Sequence, residues 1–106
     1  MTPISRELQQ KTGLDAAKLE TIRSLIGADR RVRRVRLFGS RAKGTWREGS
    51  DIDLAVQGEG IDRSDASRWA EELEEALFPW SVDVVIVDET TDQELIDHID
   101  RVSVDI

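Results

Sequence analysis

At 106 residues the chain has the length of one small domain, 1–106 with its core at about 14–100, and too little for a second lobe. Twenty-two acids against fifteen lysines and arginines give a net charge of −7, which argues against non-specific nucleic-acid binding. There is no cysteine for a disulfide or thiolate metal site, no run near the ~20 apolar residues of a membrane span, and no signal-peptide core in MTPISRELQQKTG, so a soluble cytoplasmic protein is expected.

Residues 1 to 12 read as a short helix or a frayed end and carry no chemistry. From Leu14 to about Ala28, the positions of Leu14, Leu19, Ile22, Leu25 and Ile26 approximate one helical face, with Asp15 at its acidic start. The charge is then segregated. Residues 30 to 47 hold eight basic residues and no acid, leaving −15 on the remainder. Arg30, Arg31, Arg33 and Arg34 read at least as readily as solvated or paired with the acidic helix as they do as a basic rim for a triphosphate or polynucleotide, whereas Arg41, Lys43 and Arg47 follow a turn that suits an anion.

Residues 32 to 38, VRRVRLF, predict a strand that ends at Gly39. The small Gly39 lets backbone N–H groups come close to a phosphate. Ser40 adds a hydroxyl and opens a short helix, Ser40 to Gly44, whose N-terminus favours anions. Arg41 and Lys43 add mobile positive charge beside it. In the loop Thr45 to Ser50, Trp46 suits stacking on a base, a packing lid or contact with a partner.

Asp51 to Val56 predicts the second strand, closed by Gly58 and Gly60. Successive strand side chains point to opposite faces, so Asp51 and Asp53 share one face while Ile52, Leu54 and Val56 take the other. Two neighbouring carboxylates repel unless a cation neutralises them, and hard oxygen ligands suit magnesium, which also bridges nucleotide phosphates. Either half of this pattern is common alone. Together, a strand end, Gly39-Ser40, a ten-residue spacer and an apolar-Asp-apolar-Asp-apolar run point to a nucleotide and metal site.

Asp62 to Phe78 predicts a helix with Ala66, Trp69, Ala70, Leu73, Ala76 and Leu77 on its apolar face and Glu71, Glu72, Glu74 and Glu75 on the rest, a solvated face or a dock for a basic partner. Pro79 and Trp80 stop it. The third strand, in SVDVVIVDE, places Val82, Val84 and Ile86 on one face and Asp83, Val85 and Val87 on the other. An interior carboxylate in so apolar a strand is costly unless paired or metal-bound, which singles out Asp83. Asp88 and Glu89 begin the turn into a helix, Asp92 to Ile99, where His98 reads as a surface or packing residue. The tail from Arg101 to Ile106 alternates as a last strand or is a partner-ordered segment. The whole order implies an α/β (α+β) domain, a small mixed β-sheet flanked by helices.

LFGSRAKG…GSDIDLAV, with that ten-residue spacing, resembles the signature of the DNA polymerase beta superfamily of nucleotidyltransferases, and the short chain resembles its minimal, stand-alone branch (MNT). The resemblance covers about residues 30 to 100. It implies a polymerase-beta-like fold in which Asp83 supplies a third carboxylate beside Asp51 and Asp53, two magnesium ions with ATP or another nucleoside triphosphate as co-substrate, and terminal phosphates held at Gly39 and Ser40. It further implies a HEPN-domain toxin as partner, silenced by transfer of AMP to a hydroxyl, plausibly a tyrosine, in a type VII-like toxin–antitoxin pair. The alternatives are a small-molecule transferase similar to aminoglycoside nucleotidyltransferases and an antitoxin that neutralises by binding alone.

Overall fold

A computed structural model describes residues 3–106; Met1 and Thr2, at the start of the expected first segment, lie outside the described residues. Two helices lead into the sheet. In α1 (Arg6–Thr12) the Ser5 hydroxyl accepts from Leu8 N, and in α2 (Ala16–Gly27) the Asp15 carboxylate accepts from Lys18 N, each satisfying a donor that a helix start leaves open. The elements after them are β1 (Val32–Phe38), α3 (Gly39–Lys43), β2 (Ile52–Gly58), α4 (Arg63–Ala76), β3 (Val82–Ile86), α5 (Gln93–Val102) and β4 (Val104–Asp105).

The sheet order is β3-β2-β1-β4. β1 runs antiparallel to both β2 and β4, while β2 and β3 are parallel and joined by α4, the crossover that parallel neighbours require. Alternation divides the sheet into two faces. Val35, Leu37, Ile52, Leu54, Val56 and Val82 pack with Leu19, Ile22 and Ile26 of α2 and with Trp69 and Leu73 of α4. On the other face Ala55 and Val87 pack with Ile99 of α5, joined by Phe38, Leu95 and Ile96. The mixed α/β architecture expected from the order of elements is therefore present.

Several boundaries move for local reasons. β2 begins at Ile52 rather than Asp51, because Ile52 N is the first donor in line, to Ser81 O at 2.9 Å. It continues to Gly58, where the β1–β2 register shifts between Val32 and Arg34, and a side chain at Gly58 would strike the carbonyl of Arg31. The tail forms β4, aligned with Arg36 and Leu37. Asp83 departs from its expected setting: β3 is an edge strand and the carboxylate is exposed, so no burial cost applies to it. One acid of α4 is more than a solvated group, since Glu74 Oε2 accepts from Val82 N at 3.0 Å on the β3 edge.

The basic segment before the Gly39 turn is largely neutralised inside the fold. Arg34 pairs with Asp105 at 2.7 Å, and buried Arg36 reaches Asp100 at 2.8 Å and Gln57 at 3.0 Å. Arg31 binds Asp29 at 2.7 Å, Asp65 at 2.9 Å and Gly60 O at 2.8 Å, tying β1 to the start of α4. There Asp65 also closes a reciprocal cap with Asp62.

Hydrogen bonds from Arg31 are the main cause that holds both Asp29 and Asp65 at about 2, below the ordinary 3.8. Depressed carboxylates add stability that is complete above the unfolded-state value and is lost as pH falls through the folded one. Arg31→Met should therefore lower stability at neutral pH and flatten its decline between 3.8 and about 2, measured by urea unfolding across that range. An unchanged acid limb would show that the Arg31 pairs contribute nothing to it.

Candidate active site

The C-terminal end of β1 meets the N-terminal ends of β2 and β3. Across this edge Phe38 is aligned with Asp53, and Asp53 with Asp83, so the two carboxylates sit on adjacent strands at one level and on one face. Asp51 precedes the strand by one residue and is exposed.

Gly39 turns the chain beside them with φ 74, a conformation that favours glycine, and a side chain there would collide with Asp53 Oδ2. Two independent constraints thus fix this residue. α3 opens at once, and no side chain caps it, which leaves its first N–H groups available to an anion. Ser40 O accepts from Gly44 N and from Thr45 N at 3.0 Å, while the Ser40 hydroxyl makes no hydrogen bond among the described residues.

Asp53 is half-buried, and its carboxyl is raised above the ordinary range, first by burial and then by the charges of Asp83 and Asp51. The three acids thus lie close enough for their charges to act on one another. None of the three has a hydrogen bond or ion pair among the described residues, so no bonded partner there offsets their repulsion. They fit a hard divalent cation in donor type, although no group of three acids or histidines among the described residues is drawn together as a ready cage. A magnesium ion suits that openness, because it keeps several water or phosphate oxygens beside one or two carboxylates.

The expected basic rim divides. Lys43 and Arg47 are exposed and make no ion pair among the described residues. Arg41 corrects the expectation of mobile charge: it is only 2% exposed, with Nε donating to Ser50 O at 3.1 Å and an Nη to Thr12 O at 2.9 Å. Burial lowers its pKa, and its guanidinium is committed to the protein's own carbonyls. Trp46 resolves to the packing alternative. Its Nε1 donates to Lys11 O at 2.8 Å, and its ring covers Gly13. His98 is a packing residue as expected, set edge-on to Phe38 with ring centroids 6.4 Å apart.

Sequence reasoning missed the groups that hold Asp51 from both sides. Ser50 N donates to Arg47 O at 2.9 Å, Ser50 Oγ accepts from Arg47 N at 2.8 Å, and Ile52 N is fixed by Ser81 O. The Gly49 position, at φ 84 within this four-residue turn, was the one sequence signal for such a tight return.

An uncapped glycine-serine turn facing carboxylates is an arrangement that would suit a phosphate and a divalent cation together. The polymerase beta nucleotidyltransferase family model matches residues 20–106, and the chain belongs to that family. A solved minimal nucleotidyltransferase is 36% identical, with 85% of this chain and 90% of that one covered and a TM-score of 0.64. A toxin–antitoxin crystal structure with AMP-PNP shows 26% identity over 87% of this chain and 72% of its own, with a TM-score of 0.71. The complex of a tri-AMPylated Shewanella oneidensis HEPN toxin with its MNT antitoxin shares the fold, at 22% identity, 83% and 66% coverage and a TM-score of 0.63. No curated protein matches the sequence significantly.

This geometry has two measurable outcomes. Asp53→Asn removes a charge that the metal-free fold disfavours, so the variant should melt a few degrees higher than the native protein without metal while losing the stabilisation that added magnesium gives; a lower melting temperature would contradict the repulsion. Gly39→Ala should destabilise by about 1–3 kcal/mol through strain and displacement of Asp53, read by thermal unfolding.

Proposed function

We propose that the protein transfers AMP from ATP to a hydroxyl, plausibly of a tyrosine, on a HEPN-family toxin and acts as that toxin's antitoxin. The observation that carries the reading is the alignment of Phe38, Asp53 and Asp83 across three strands, which sets the Gly39-Ser40 turn directly against paired acids. Family membership supports nucleotidyl transfer, and likeness to toxin–antitoxin structures, one with AMP-PNP, supports the partner and the nucleotide.

Asp51, Asp53 and Asp83 would hold magnesium, with two ions expected, and bound magnesium would supply charge neutralisation on the phosphates and a more acidic acceptor hydroxyl. The N–H groups that open α3 and the Ser40 hydroxyl receive the terminal phosphates. Lys43, exposed on the same short helix, offsets charge on the leaving group. Arg41 has no part in that role, because its guanidinium is buried and turned towards Thr12 O and Ser50 O. The acceptor oxygen bonds to the α-phosphorus, the bond from that phosphorus to the bridging oxygen breaks, pyrophosphate departs with the electron pair, and the hydroxyl proton passes to Asp83 and on to water. Exposure of Asp83 at the sheet edge leaves it open to an incoming acceptor.

The test is intact mass of the cognate HEPN protein after incubation with this protein, ATP and magnesium. One or more adenylyl groups should appear, and Asp51→Asn or Asp53→Asn should slow their addition by at least about a hundredfold. An unmodified HEPN protein in a stable complex would replace this reading with neutralisation by binding. Absence of any complex would leave small-molecule acceptors.

A further inference from the structure

We propose that α1 is a working part of the active site, acting through Arg41, which is the positioning residue for Asp51. The inference rests on Asp51 as a cation ligand. α1 lies outside the residues matched by the family model, and its sequence carries no chemistry of its own.

The connection is short and continuous. A single buried guanidinium bridges Thr12 O, at the last residue of α1, to Ser50 O, the carbonyl immediately before Asp51. Arg41 has no carboxylate partner among the described residues. A buried cation without one needs well-aimed acceptors, and two main-chain carbonyls from separate segments supply them. Thr12 is fully buried, and its hydroxyl is used locally, donating to Leu8 O at 2.8 Å and accepting from Leu14 N at 3.3 Å. Its carbonyl is thereby oriented towards Arg41.

Trp46 closes the bridge from the loop side. Its ring lies 5.6 Å from the Arg41 guanidinium carbon, and its N–H holds Lys11 O, the carbonyl next to the one Arg41 uses. Lys11, Thr12 and Gly13 therefore grip the loop at two points. Beyond Ser50 the chain is fixed again by Ile52 N to Ser81 O, so Asp51 has a carboxylate unbonded among the described residues on a backbone held at both neighbours. Where it stands, one residue ahead of β2 and two before Asp53, depends on that backbone.

The experiment uses the full chain with Mn2+ as probe in the presence of AMP-PNP, titrated calorimetrically, with hydrogen exchange measured on the same samples. Arg41→Lys keeps charge but not the two-armed reach. It should weaken Mn2+ binding about tenfold, in the range that ligand-supporting partners contribute. Trp46→Phe, which keeps an aromatic ring but loses the Lys11 bond and part of the indole that covers Gly13, should weaken it less. Both should speed exchange at residues 45–51 and in the last turn of α1 while α4 and β3 stay protected. Arg31→Lys, which loosens a network outside the site, is the stability control. Equal Mn2+ affinity for native and Arg41→Lys proteins, or an equal loss with Arg31→Lys, overturns the proposal. If the native protein binds no Mn2+, the cation reading fails, and the proposal falls with it. Should Arg41→Lys not fold, the Trp46→Phe comparison decides in the same terms.

Discussion

The close approach of residue 39 to the Asp53 carboxylate is the constraint on which the arrangement depends. It is possible only because Gly39 has no side chain, and it sets the start of α3 against the middle of the sheet edge. The β1–β2 and β2–β3 registers then carry that position outward to Asp83. A slip of one residue in either pairing would turn an acid into the core beneath α2 and α4 and leave the turn facing an aliphatic side chain. The buried valines, leucines and isoleucines of the opposite face therefore fix the site as well as the fold.

Charge is distributed with a division of labour. Arginines ahead of the turn are spent on acids within the domain: Arg31 on Asp29 and Asp65, Arg34 on Asp105, Arg36 on Asp100. The acids at the sheet edge have no such partners, and burial and mutual repulsion raise Asp53. A fold that pairs Arg31, Arg34 and Arg36 with acids yet leaves three neighbouring carboxylates without a bonded partner among the described residues gathers like charge at one place. Such concentration is characteristic of a site whose missing charge arrives with a ligand.

Much of this was legible in the sequence because it depends on period and spacing. Alternation marked β1, β2 and β3, the apolar face of α4 was plain, and Gly39-Ser40 with Asp51 and Asp53 named the turn and its acids. Asp83 was found by position for a reason that the structure does not support, since an edge strand leaves it in water and register is what brings it to Asp53. Arg41 was misread because a charged residue in a basic run gives no sign that carbonyls from residues 12 and 50 converge on it. Those acceptors are main-chain atoms, and main-chain direction is not written in residue type. The same holds for α1, whose contribution is two carbonyls rather than any side chain.

The small contact between Glu74 and the edge of β3 bears on how the protein meets other chains. An exposed strand is a template on which a foreign strand can add, extending the sheet from one molecule to the next. Here a carboxylate already occupies Val82 N, and Thr91 Oγ1 donates to Ile86 O at 3.3 Å, so both ends of a five-residue strand are blocked and Val84 is left between them. An incoming backbone would have to displace both. The edge is thus guarded against indiscriminate sheet extension, while Asp83, on the same strand, stays exposed.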